Sequence, residues 1–264
     1  MKKILLTLCL ALVCLAEEAP RQFFANSHEW QGDYVFNTDN SKVIPLKSSF
    51  TAEFNDEALI LKVDYRDADV ARLKKFPKGK DGDWPACDSI EIFFSPKLNH
   101  RFFQLGIGVN GQRYDSRWLS GDKTTWTSEV IIDDGGWTAT ITLPFSDPGM
   151  AIPQRGDIWG FNICRDVFPE TSSMFFSSWA HCGLNFHHPD KFGHLVFGTQ
   201  EEAKLVWAQK LENEIAETEA KLKSAGILDM YATKLNSIRS SGDRQALQDL
   251  RDETDMLAAI KLLK

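Results

Sequence analysis

The sequence predicts a mainly β chain: an antiparallel β-sandwich of jelly-roll-like character, followed by a C-terminal α-helical hairpin or small helical bundle. Three observations carry this. Between residues 50 and 197, short β-branched and aromatic runs are separated by Gly, Pro, Asn and Asp clusters, with no long helical period. Leu59, Leu61, Val63 and Tyr65, and again Trp137, Ala139, Ile141 and Leu143, alternate with more polar neighbours, as half-buried strands do. After Gly198 the composition changes to a Pro-free stretch rich in Ala, Glu, Lys and Leu.

The chain divides into 1–16, 17–199 and 200–264. In the first segment Lys2 and Lys3 precede an apolar run over 4–15, then Ala16 and the acidic pair Glu17 and Glu18. This is the pattern of a secretory signal cleaved after Ala16, so the mature chain is expected in the periplasm or outside the cell. The run is shorter than the roughly 20 residues that span a bilayer, so no transmembrane segment is expected after cleavage. Cys14 offers a minor alternative, lipid attachment as an outer-membrane lipoprotein, although Val13 before it is bulkier than such a site wants. Loss of the signal removes Cys9 and Cys14 and leaves Cys87, Cys164 and Cys182, an odd number in a disulfide-permissive compartment. Cys164 with Cys182 is one candidate pairing.

Within 17–199, strands are expected over 59–65, 89–95, 102–109, 128–132, 137–143, 158–165, 175–178 and 194–197. Turns at Asn110-Gly111 and Asp134-Gly135-Gly136 separate some of them. Two packed sheets follow, because only a second sheet covers the apolar face of the first. In 200–264, Ala208, Leu211, Ile215 and Leu222 form one helical stripe. Ile227, Met230, Leu235 and Ile238 form a second, and Leu247, Leu250, Leu257 and Ile260 a third, with breaks at Gly226 and Gly242. Three such helices fold on each other, pack on the sandwich, or bind a protein partner or a second copy.

The net charge of −7 and the lack of any basic run argue against nucleic acid as a partner. Strand parity places Ser89, Glu91 and Phe93 on one face, Gln104 with Gly106 and Gly108, and Gly160, Asn162 and Cys164 opposite the apolar Trp159, Phe161 and Ile163. A polar face cleared by glycines suggests a groove. Trp84, on the loop before the 89–95 strand, adds a flat aromatic surface, and a sugar ring needs such a surface for its C–H face and fixed polar groups for its hydroxyls.

The strings DWPACDSIEIFF, FFQLGIGVNGQRYD, GGWTATITLPF, GDIWGFNICRD, SSW and PDKFGHLVF occur in this order over 48–198. In that succession the chain resembles carbohydrate-binding module family 9. The resemblance implies a non-catalytic β-sandwich that holds a mono- or oligosaccharide between two aromatic side chains, in proteins associated with polysaccharide degradation. Carried over by position, Trp84 matches one aromatic wall, Glu91 and Gln104 match polar contacts, and Phe186 stands where the family pattern has a tryptophan. Where the pattern has an arginine and an asparagine after the glutamine, this sequence has Gly106 and Gly108. Arg165 is a candidate to fill part of the vacancy, with Asn185 or His187 contributing from the loop, and Asn162 is a lesser candidate in the same groove. The resemblance also implies structural Ca2+, for which the acidic loops 64–69 and 81–88 offer oxygens.

Rival chemistries are weaker. A glycosidase needs two carboxylates across a cleft, about 5–10 Å apart, and Glu91 with Asp88 or Asp166 is the pair to name. His181, Cys182, His187, His188 and His194 fit no tight zinc spacing, and a cysteine-protease reading of Cys182 specifies no base. A small sugar ligand held by stacking and a few hydrogen bonds implies micromolar to millimolar affinity.

Overall fold

Alternation of apolar and polar residues becomes two sheets packed face to face. The computed structural model describes residues 20–262 apart from 28, 37–38, 44–45, 68, 75–86, 99–100, 118–124, 147–149 and 170–173. The signal segment, its cleavage point and Cys14 therefore lie outside the described residues, as do Trp84, Trp118 and most of the 81–88 loop.

The strands are β1 (Gln22–Phe24), β2 (Trp30–Gly32), β3 (Val35–Phe36), β4 (Asp39–Val43), β5 (Ser48–Phe54), β6 (Ala58–Arg66), β7 (Ser89–Ser95) and β8 (Phe103–Gly108). They continue with β9 (Arg113–Arg117), β10 (Thr127–Ile132), β11 (Gly136–Pro144), β12 (Ile158–Val167), β13 (Phe175–Ser178) and β14 (Gly193–Val196). Among the described residues the larger sheet runs β4-β3-β13-β12-β7-β8-β9, and the smaller β10-β11-β6-β5-β2. β14 pairs with the first half of β12 and β13 with the second, so one long strand serves two neighbours along the same edge. β1 joins β14 in parallel, whereas the other pairs are antiparallel.

Between the sheets, the expected inward sets of β6 and β11 are all buried and meet Ile90, Ile92 and Phe94 of β7 and Trp159, Phe161 and Ile163 of β12. Burying one such side chain contributes about 1.5–3 kcal/mol, so this continuous cluster is the main source of stability. β7 and β12 are buried on both faces. Their second face lies under the segment after β13, where Phe186 and Phe192 close over Phe93, Phe102, Cys164 and Cys182 as a separate small cluster. Gly193 is what lets that segment return to the sheet, because a Cβ there would lie 2.4 Å from the Trp179 ring.

Three helices follow: α2 (Gln200–Ala225), α3 (Leu228–Ser241) and α4 (Arg244–Leu262), a short α1 (Val70–Leu73) having preceded β7. Thr199 and Glu202 form a capping box at the start of α2, and Glu202 also binds Arg155 of the sandwich at 2.6 Å. Gly156 sits beneath this turn at φ +91°, where a Cβ would be 2.7 Å from the Glu202 carbonyl oxygen. Ala203 packs with Ile158 and Val196 of the sandwich. Further on, Ile215, Leu222, Leu235, Ile238, Leu247 and Leu250 make a core of the helices' own. The helices thus fold on each other and dock by the first turns of α2. Two stripe residues depart from expectation: Ala208 and Met230 are exposed, because the α2–α3 contact turns on Ile215 and Leu235 instead.

Candidate functional site

The register of the larger sheet fixes what shares its outer face. Glu91 stands between Cys164 and Gly106, Phe93 between Asn162 and Gln104, and Ser89 between Asp166 and Gly108. One strand further out, Tyr114 pairs with Gly106, and on the opposite side Phe176 pairs with Asp166. Over these strands lies a groove of about 420 Å³ lined by Glu91, Gln104, Tyr114, Phe176, Phe186 and His187, with Leu184 and Asn185 at its edge.

Of the residues expected from sequence, Glu91, Gln104 and Phe186 come together here. Gln104 Nε2 donates to Glu91 Oε2 at 2.6 Å, and Gln104 Oε1 lies 3.2 Å from His187 Nε2. With the amide oriented this way, His187 carries its proton on Nε2 and donates. Burial lowers the pKa of His187, with the neighbouring His188 adding to the effect. Asn185 braces this end of the groove by accepting from the His187 backbone N–H at 2.9 Å.

Two expected residues do not face the groove. Asn162 is fully buried and spends its amide on the backbone of Ala180, donating to its oxygen at 2.8 Å and accepting from its N–H at 2.9 Å. It anchors the covering segment to β12. Arg165 has the opposite parity: it is fully buried between the sheets, its guanidinium 4.4 Å from the centre of the Tyr65 ring and 3.7 Å from Asp67. It supplies no cation to the groove beside Gly106. Phe186 is only 6% exposed and packs into the small aromatic cluster, whereas Phe176, 39% exposed, supplies open aromatic surface. The missed residues Phe176 and Tyr114 sit on short strands, and only cross-strand pairing reveals that they share the face of Glu91.

The buried polar groups beneath the groove are arranged by charge. Arg72 holds Asp88 through both guanidinium nitrogens at 2.6 and 2.9 Å and Asp67 at 2.7 Å. Asp166 accepts from Ser89 Oγ at 2.7 Å, but its other carboxyl oxygen is buried without a donor. Glu91 lies against Asp166. Burial, and then the Asp166 charge, raise the pKa of Glu91 far above the usual carboxylate range, and burial also raises that of Asp166. A proton on Glu91 supplies the missing donor. Cys164 and Cys182 adjoin one another below as free thiols, and burial raises the pKa of Cys164.

The acidic loop 64–69 does not fit calcium. Asp64 is bound by Arg66 at 2.7 Å, Asp67 by Arg72, and Asp69 caps α1 by accepting from Arg72 N at 3.0 Å. Residues 81–86 of the second loop lie outside the described residues, and its last carboxylate, Asp88, is held by Arg72. Among the described residues no three His, Cys, Asp or Glu side chains converge as a metal site. A second hollow, of about 600 Å³, lies on the outer face of the smaller sheet among Glu29, Lys47, Lys62, Asp64 and Arg66. It has no aromatic wall, and Glu29, Asp64 and Arg66 are engaged with one another or with Gln31 and Ser49.

No protein-family model matches the chain, and no curated protein does. Solved structures do match. A candidate carbohydrate-binding protein from Bacteroides uniformis ATCC 8492 aligns at TM-score 0.51 and 15% identity, over 68% of this chain and 100% of that one. What is shared is the fold. Two structures of a carbohydrate binding module family 9 from Caldicellulosiruptor kristjanssonii align at TM-score 0.47. The complex with cellotriose is 14% identical over 69% of this chain and 96% of that one, and the complex with glucose is 13% identical over 69% and 98%.

Proposed function

We propose that the chain is a non-catalytic carbohydrate-binding module that takes a mono- or oligosaccharide in the groove over β7, β8 and β13. The observation that carries this reading is the hydrogen-bonded row Glu91–Gln104–His187 set between the rings of Tyr114 and Phe176. A pyranose offers hydroxyls at its edge and C–H groups on its face, and this groove offers fixed polar atoms flanked by flat apolar surface. The sandwich shared with the Bacteroides protein supports the same reading. Trp84, which lies outside the described residues, is kept as a candidate aromatic contact on the strength of the family resemblance alone.

Glycoside cleavage is not part of the proposal. Glu91 and Asp166 lie against each other on one face, leaving no room for a glycosidic bond between them, and Asp88 is consumed by Arg72. The signal-like start of the sequence supports an exported module, in the periplasm or outside the cell.

The test is calorimetric titration of the signal-less chain with glucose, cellobiose, xylobiose and galacto-oligosaccharides, alongside Phe176→Ala and Trp84→Ala variants. Micromolar to millimolar binding that weakens about ten-fold or more in both variants is the expected result. Absence of heat with every sugar would overturn the proposal.

A further inference from the structure

The charge balance beneath the groove does not close. Arg72 and Arg165 face Asp67 and Asp88: two cations and two anions, each with its side chain no more than 7% exposed. Glu91 and Asp166 stand outside this arrangement. Neither has an ion-pair partner among the described residues, and no cation is among the largest influences on either carboxyl. With one proton shared between them, donated from Glu91 to the otherwise unpaired Asp166 oxygen, the pair still holds one negative charge, at 8% and 3% exposure. Burying an uncompensated charge is costly, so among the described residues this site is one cation short.

Glu91 is the member of the pair that lines the groove, and no described lining residue is Lys or Arg. Gly106, directly opposite Glu91, leaves no side chain on that side. A divalent metal fits poorly, since calcium takes six to eight oxygens and here two carboxyls and an amide are at hand. A primary ammonium needs only three acceptors, and the faces of Tyr114 and Phe176 suit a cation as well as a C–H surface.

We propose that this groove selects a sugar unit bearing a protonated primary amine, of the 2-amino-2-deoxyhexose class, with the Glu91–Asp166 carboxyl pair as its anionic partner. The inference rests on the sugar-binding reading of the same groove and names the ligand class within it. The ammonium neutralises the one negative charge that the pair retains beside its shared proton, so the pair keeps that proton as the complex forms. The groups facing Glu91 are Cys164 and Asp166 on β12, Gln104 on β8, Tyr114 on β9, and Cys182 and His187 on the covering segment. None of these is a permanent cation.

The experiment is calorimetry on the signal-less chain in amine-free buffers near neutral pH, where the pair holds one proton, comparing glucose, 2-amino-2-deoxyglucose and its N-acetyl counterpart. Repeating it in buffers of different ionisation enthalpy counts protons. The amine is expected to bind at least about ten-fold more tightly than either neutral sugar with little net exchange of protons, and this preference is expected to fade as pH rises and the amine loses its charge. In Glu91→Gln and Asp166→Asn the preference should fall to about two-fold or less. Equal affinity for glucose and its amine would overturn the inference and leave sugar binding standing, and an N-acetyl sugar as tight as the amine would do the same. If no sugar binds, both fall.

Discussion

Glu91 stands directly opposite Gly106 in the β7–β8 register, and Gly106 in turn stands opposite Tyr114 of β9. A carboxyl and a phenol ring therefore flank a strand position with no side chain, and this hollows out the groove floor. Gly106→Arg would fill it with a guanidinium beside Glu91. The expected outcome is an ion pair that returns the Glu91 titration toward the ordinary carboxylate range, visible in carboxyl NMR, together with loss of any preference for an amine-bearing ligand.

Glu91 also makes stability depend on pH. Its folded pKa is raised, first by burial and then by Asp166, so the folded state holds a proton that the unfolded chain releases near pH 4.3 or so. The stabilisation from that proton is complete below the unfolded value and is lost as pH rises toward the folded one. Glu91→Gln removes this dependence. Denaturant melts above neutrality should show the variant more stable than the parent, by an amount on the order of 1 kcal/mol, about one pKa unit. At acid pH the two should converge.

Phe176 and Phe186 line the same groove with opposite consequences for substitution. Phe176→Ala, at an exposed ring, should change stability by less than about 1 kcal/mol while weakening ligand binding. Phe186→Ala, in the cluster with Phe93, Phe102 and Phe192, should cost about 3–5 kcal/mol. Thermal melts and titrations on the same two samples separate the roles.

Arg72 neutralises both Asp67 and Asp88 at 7% side-chain exposure. Arg72→Met leaves two buried carboxylates without their cation, and a loss of about 3–5 kcal/mol is expected in urea unfolding. Because Asp88 immediately precedes β7, hydrogen exchange should show the start of that strand opening first.

Periodicity made much of this molecule legible. The inward faces of β6, β11 and β12 could be read because period-two alternation was long and clean there. The outward face of β7 could be read because Glu91 interrupts an otherwise apolar run. The strands β1 to β5 and β9 were not anticipated: they are short or polar, and β5, although seven residues long, carries Ser, Thr and Glu on its outer side. Arg165 was misplaced for a different reason. A charged residue on a strand invites the polar face, yet parity with Trp159, Phe161 and Ile163 puts it between the sheets, where Tyr65 and Asp67 accept it. Asn162 has the right face but is used up by Ala180, a partner eighteen residues away that no local pattern announces.

The parallel pairing of β1 with β14 has a consequence for how the chain acquires its structure. The first strand completes the sheet only beside the last, roughly 170 residues later in the sequence, so the sandwich cannot finish until Val196 is available. Closing so long a loop is slow, and until then Phe23 and the edge of β12 stay open. A chain built this way is held back from premature folding by its own topology, and refolding from denaturant should be limited by this final first-to-last closure rather than by the local β10–β11 hairpin.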